Sequence, residues 1–148
     1  VLRGPVYDRY RAAKEGREST GHAIPPDARF LTGPVAFHLF MAGGDSSGEE
    51  MIRSTKRGLY ITRFWYTRLM HPRDCVMTGM TRDGLFMIEN GELAYPVKNL
   101  RFTQSYVKAL AGTVAVSREQ KTLAIDAGIA FRVPALKLEA FNFTGSTV

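Results

Sequence analysis

GLYITRFWYTRLMHPRDCVMTGMTRDGLFMIENGELAYPVKNLRFTQS, residues 58–105, decides the fold. It holds the only tryptophan, the only cysteine and three of the six tyrosines. Leu59 to Thr67 is dense in aromatic and β-branched residues, the composition of a strand. Both faces are apolar or aromatic, Leu59/Ile61/Trp65 against Tyr60/Phe64/Tyr66, which predicts a central strand covered on both sides. Arg63 within it calls for a carboxylate or carbonyl partner if buried. Gly84 to Glu89 is a second strand. Asn90-Gly91 after it is a strong hairpin signal, because a type I′ turn needs positive φ at both central residues. Glu92 to Tyr95 starts the return, Pro96 interrupts it at an edge or bulge, and Val97 to Thr103 resumes it. Between the two strands, Arg68 to Gly84 reads as a loop that gathers His71, Asp74, Cys75, Thr81, Arg82 and Asp83.

Outward from this stretch the pattern continues. Residues 34–42, PVAFHLFMA, alternate as a strand in which His38 is a satisfied sheet histidine. In GGDSSGEEMIRSTKRG the serines stand three residues before the glutamates, the capping-box spacing. That predicts a helix over 48–56 with Gly58 as its C′ residue. GGDSSG lacks the strand-GxxxxGK[ST]-helix context of a phosphate loop. Towards the N-terminus, Tyr7 to Lys14 reads as a short helix stopped by Gly16, and Pro25-Pro26 forces extended backbone. Residues 1–33 then form an arm over a β-rich core of residues 34–148, all one domain. Beyond residue 105, Ser105 caps a helix from Tyr106 to Ala111 ended by Gly112. Thr113 to Val116 is strand, SREQKTLAIDAG a polar loop with a short strand inside, and Pro134 to Phe143 a closing strand. The apolar parity of that strand shifts near Ala140, marking a bulge or a change of neighbour. The fold class is α+β, mainly β: an antiparallel-rich mixed sheet or barrel-like domain with two or three short helices.

The 148 residues carry a net charge of +6. The excess is uneven: six basic and seven acidic residues in 1–50, eight and four in 51–100, six and three in 101–148. The basic residues form no run, which argues against a nucleic-acid patch. No apolar run spans a bilayer. One cysteine fits a reducing, cytoplasmic setting. His22, His38 and His71 form no metal pair at helical spacing. A Cys75–His71 nucleophile pair, or a metal on His71, Asp74 and Cys75, would have to be built on a loop broken by Pro72, and neither is expected. Arg82 and Asp83 serve loop structure or a contact with a partner or substrate.

Five segments carry a resemblance: YDRYRAAKEGRESTGHA (7–23), SGEEMIRSTKRGLYITRFWY (47–66), VMTGMTRDGLFMIENGEL (76–93), YPVKNLRFTQSYVKAL (95–110) and VPALKLEAFNFTG (133–145). Together, and in this order, they resemble the C-terminal domain of the TldD/PmbA family, also called modulators of DNA gyrase. The resemblance implies a part of a longer cytoplasmic protein whose β-rich C-terminal domain follows an α/β portion. It implies paired subunits that degrade unfolded peptides, with zinc in the TldD partner held by an HExxxH helix and a late cysteine. Here the segment ahead of VPALKL is IDAGIAFR (125–132), without cysteine, and HExxxH is absent. The resemblance is therefore to the PmbA/TldE side. It implies no catalytic residue and no metal or cofactor in this chain. The expected partners are a TldD-like subunit or a second copy, and an unfolded peptide, not nucleic acid or a membrane. The candidate contacts with peptide or partner are Arg63, Tyr66, Thr81, Arg82 and Asp83. A domain binding DNA or gyrase is the alternative reading.

Overall fold

The computed structural model describes residues 6–24, 33–36, 38–125 and 129–146. Its elements run α1 (Arg9–Glu15), β1 (Leu39–Phe40), α2 (Gly48–Arg53), β2 (Arg57–His71), β3 (Val76–Glu89), β4 (Glu92–Pro96), β5 (Leu100–Ser105), α3 (Tyr106–Ala111), β6 (Thr113–Ile125), β7 (Ile129–Leu138) and β8 (Phe143–Ser146). Two sheets result, neither closed into a barrel: the pairs of the larger are antiparallel, and in the smaller β1 pairs with β7 in parallel. The chain divides into two compact units, one drawn from Val1–Ala42 and Gln120–Val133, the other from Gly43–Glu119 and Pro134–Val148. No helix among the described residues is long and apolar enough to cross a membrane.

In the first unit, α1 begins where Asp8 accepts a hydrogen bond from the Arg11 N–H at 2.6 Å and ends at Gly16, φ 61°. A left-handed C-terminal residue is the position glycine fills at least cost. The strand expected over 34–42 shrinks to Leu39–Phe40, paired in parallel with Phe131 and Arg132. Phe37 and the Pro25-Pro26 pair lie outside the described residues. His38 Nδ1 accepts from the Ala130 N–H at 3.2 Å, the satisfied histidine expected.

The second unit holds the larger sheet, in the order β2-β3-β5-β8 with β4 also on β3. The loop expected over 68–84 is not a loop. β2 and β3 are partners along their whole length, and the chain reverses only at 72–75. Alternation is blurred there because both strands bulge, and each bulge breaks the two-residue period by which a strand is read. β2 is also an edge strand rather than a central one, since among the described strands it pairs with β3 alone. Both of the faces expected to be covered are partly exposed, with Trp65 of one and Tyr60 and Tyr66 of the other open to solvent.

The Asn90-Gly91 turn forms as expected, with φ 51° and 86°. Its N–H groups donate to Lys56 O and Thr55 O. The α2 helix stops at Arg53, short of the expected Lys56. Ser54 and Thr55 hydroxyls donate to Glu50 O and Met51 O, so Ser54 is the C-cap and Gly58 is already strand. The break after Pro96 separates β4 from β5, and both pair with β3 at different heights. The polar stretch expected to be a loop after Val116 is strand in β6, which runs on to Ile125. The parity shift near Ala140 marks a change of neighbour: β7 lies in the smaller sheet and β8 pairs with β5.

The core of this unit is aromatic. Phe102 is wholly buried. Its ring lies 4.7 Å from Phe64, 5.3 Å from Phe141 and 6.4 Å from Tyr106, centroid to centroid. Offset and edge contacts at these separations add to the area each ring removes from water.

Candidate functional site

The five candidate contacts lie on β2 and β3. Arg63 stands opposite Arg82, and Trp65 opposite Met80. Bulges bracket this short run of paired residues. On β3 the bulge is at Asp83 and Gly84, with φ 64° and 129°. The Thr62 hydroxyl lies 2.9 Å from the carbonyls of both Arg82 and Gly84 and fixes it. On β2 it follows Trp65, where Tyr66 has φ 53°. A left-handed backbone is tolerated by aspartate and costs more for tyrosine, about 1–2 kcal/mol. Bulges of this kind re-aim side chains.

The side chains beside these bulges form two exposed groups, one around Trp65 and one that pairs Tyr66 with Arg68. Both guanidiniums lie over the Trp65 ring, Arg63 at 4.9 Å and Arg82 at 5.4 Å from its centroid. Asp83 Oδ2 is 2.5 Å from Arg63 Nη2, while Asp83 Oδ1 is 3.8 Å from Arg82 Nε. One residue on, the Arg68 guanidinium covers the Tyr66 ring at 4.2 Å and donates to its hydroxyl. Cation–π contact holds each guanidinium in place, leaving N–H edges for a ligand.

Thr81 stands apart from these groups. It is fully buried. Its hydroxyl accepts the Leu100 N–H at 2.9 Å and bonds Asn99 Oδ1 at 3.2 Å. It anchors the start of β5 rather than facing a ligand. The structure thus brings Arg63, Arg82 and Asp83 together around Trp65, and separately pairs Tyr66 with Arg68. The signal for Trp65 is its i, i+2 spacing from Arg63, and for Arg68 the same spacing from Tyr66. The sequence hides the third member of the face, Arg82, because TGMTRDG has the composition of a loop.

The GGDSSG glycines serve close packing: a Cβ on Gly44 would lie 2.5 Å from Val116 O. The N–H groups of Gly44 and Ser46 are taken by Ser117 O and Val116 O, so they cannot cradle a phosphate. Ser47 and Glu50 close the capping box instead. A shallow cleft of about 370 Å³ lies beside Gln104 and Asn142. The Gln104 side chain there is already committed to Asn142 N and Ser105 O.

Cys75 is exposed in the β2–β3 turn with φ 47°. The turn is tied down through backbone: Ser105 Oγ donates to Asp74 O and the Tyr106 N–H to Cys75 O. Zinc of the kind this fold family implies needs several His, Cys, Asp or Glu side chains converging on one point. Among the described residues no group of three or more does so.

Comparison with known proteins matches this chain to solved structures. It superimposes on TldE from Thermococcus kodakarensis with a TM-score of 0.76 at 24% identity, covering 96% of this chain and 31% of that one. A protein described as a candidate modulator of a DNA gyrase, from Thermotoga maritima, matches with a TM-score of 0.73 at 23% identity, over 97% and 31% of the two chains. Another so described, from Bacteroides thetaiotaomicron, gives 0.66 at 22%, over 94% and 27%. This chain therefore spans about a third of the length of the structures it resembles. No curated protein sequence matches it. The profile of the PmbA/TldA metallopeptidase C-terminal domain matches residues 1–145. With nearly every residue covered by that profile, the chain belongs to the PmbA/TldA metallopeptidase family, as its C-terminal domain.

Proposed function

We propose that this domain works in a metallopeptidase-like assembly as the non-catalytic, TldE-like subunit. It would shape a channel for unfolded peptide and hold a zinc-bearing TldD-like partner, or a second copy of itself. One observation carries this reading. The stretch that leads into VPALKL contains no cysteine, and the one cysteine in the chain sits in the β2–β3 turn. Similarity to the fold of a TldE supports it. The surface offered to peptide or partner is the group of Arg63, Arg82 and Asp83 around Trp65, with Tyr66 next to it along β2. Its Arg, Trp and Tyr content is the composition enriched where binding energy concentrates. A lone cysteine suits action in the cytoplasm.

The test is zinc content and cleavage of an unfolded peptide by the complete protein, alone and with a TldD-like partner. We expect no stoichiometric zinc and no cleavage by the protein alone, and cleavage once the partner is added. Zinc and activity without a partner would overturn the reading. A second reading, a module binding DNA or gyrase, draws on the +6 charge and on the description of two structural relatives. A gel shift at about 0.15 M salt tests it, since phosphate-driven binding is strongly salt-dependent.

A further inference from the structure

We infer that the face formed by Arg63, Trp65 and Arg82 selects peptide segments that carry carboxylates, with Asp83 holding the place of the incoming group. This rests on the peptide-contact reading above and adds a chemical preference to it. Two guanidiniums, of Arg63 and Arg82, share this face over Trp65. Among the described residues Asp83 is the one carboxylate within ion-pair distance of Arg63 or Arg82. The face is therefore cationic even with Asp83 in place.

The geometry of Asp83 is asymmetric. One oxygen is 2.5 Å from Arg63, whereas the other stays 3.8 Å from Arg82, too far for a hydrogen bond. Arg82 thus keeps donor capacity for a second carboxylate. Both guanidiniums are held over Trp65, so they lose little freedom when a ligand binds, and a guanidinium edge matches a carboxylate in a two-point contact. The bulges at Tyr66 and Asp83 hold this arrangement at a backbone cost, and such cost is met most often at functional positions. β2 has no strand on its other side among the described residues, so a segment can reach the face from the side.

The complete protein is titrated with a labelled, flexible Gly/Ser-rich peptide bearing Glu residues and with its Gln counterpart, followed by fluorescence anisotropy at low salt. We expect the Glu peptide to bind about 5-fold more tightly, the scale of one solvent-exposed ion pair. Arg82→Gln should erase the preference. Asp83→Asn should enlarge it, and asparagine tolerates the left-handed backbone. Since these two variants are expected to move in opposite directions, misfolding cannot imitate the pattern. Equal binding of both peptides would overturn the carboxylate preference and leave the peptide-contact reading standing. Binding of neither would overturn both. Weaker Glu-peptide binding in Asp83→Asn, or displacement of the peptide by a single-stranded oligonucleotide of higher affinity, would also overturn the inference.

Discussion

Arg63 and Arg82 face each other directly across the β2–β3 pair, two like charges in register over one indole ring. Like charges in that relation destabilise an antiparallel pair by a few tenths of a kcal/mol. Here Asp83, placed by its own bulge, lies within ion-pair distance of both. The bulge thus brings a counter-charge to a position that regular pairing would leave repulsive.

Asp83→Asn should therefore lower stability, but only by about 1 kcal/mol or less, because all three side chains are half exposed. The loss should shrink as salt rises, since screening weakens the uncovered Arg63–Arg82 repulsion. Urea denaturation at low and high ionic strength checks both points.

Thr81→Val keeps the shape of the side chain and removes the hydroxyl that accepts the Leu100 N–H. A buried donor left without its partner costs about 1–3 kcal/mol. Thr81→Ser should cost less, because the hydroxyl remains. Hydrogen exchange at the Leu100 amide gives a local readout, and protection there should fall in the valine variant first.

Gly91 is needed for two reasons. Its φ is 86°, and a Cβ would sit 2.6 Å from Arg53 O. Gly91→Ala should destabilise the protein by about 1–3 kcal/mol. Gly112 offers the control, with φ −86° and no atom closer than 3.5 Å to an added Cβ. Gly112→Ala should shift stability by no more than about 0.5 kcal/mol. Thermal melts of the two variants separate the cases.

Glu50 is held below its usual 4.5, first by the Ser47 backbone N–H, then by the Ser47 hydroxyl, with Arg118 and Arg53 assisting. A carboxylate lowered on folding contributes stability above its unfolded value, and that stability is lost as pH falls through the lower folded value. The loss therefore lies below pH 4.5. Glu50→Gln does not titrate, so its denaturation midpoint should fall less steeply with acid than that of the parent. Ser47→Ala should flatten the same limb, because the carboxylate then loses one of its donors.

Features that depend on contacts a few residues apart could be read from the chain alone. The Ser47–Glu50 box, the Asn90-Gly91 turn and the Asp8–Gly16 helix are each closed by hydrogen bonds or φ values within one turn of chain. Residue chemistry decides such features before any packing occurs. The change of neighbour near Ala140 was also legible, because a parity shift on one strand is itself a local signal.

The candidate surface was legible only in part. Arg63, Tyr66, Arg82 and Asp83 could be picked out by type, yet TGMTRDG looks like a loop: its Thr, Gly and Asp are turn residues and its alternation breaks at the bulge. Only pairing with β2 makes it strand. That pairing also decides that Thr81 turns inward while Arg82 turns outward beside Trp65. Neighbouring residues on a strand face opposite ways, and which way each points depends on the register with a partner some twenty residues off. The sequence alone determined the local turns and caps, the mainly β class and the family motifs. Tertiary structure decided the long β2–β3 pairing, the exposure of Trp65, and the meeting of two arginines over it, because bulges and register are properties of paired strands and not of either strand alone.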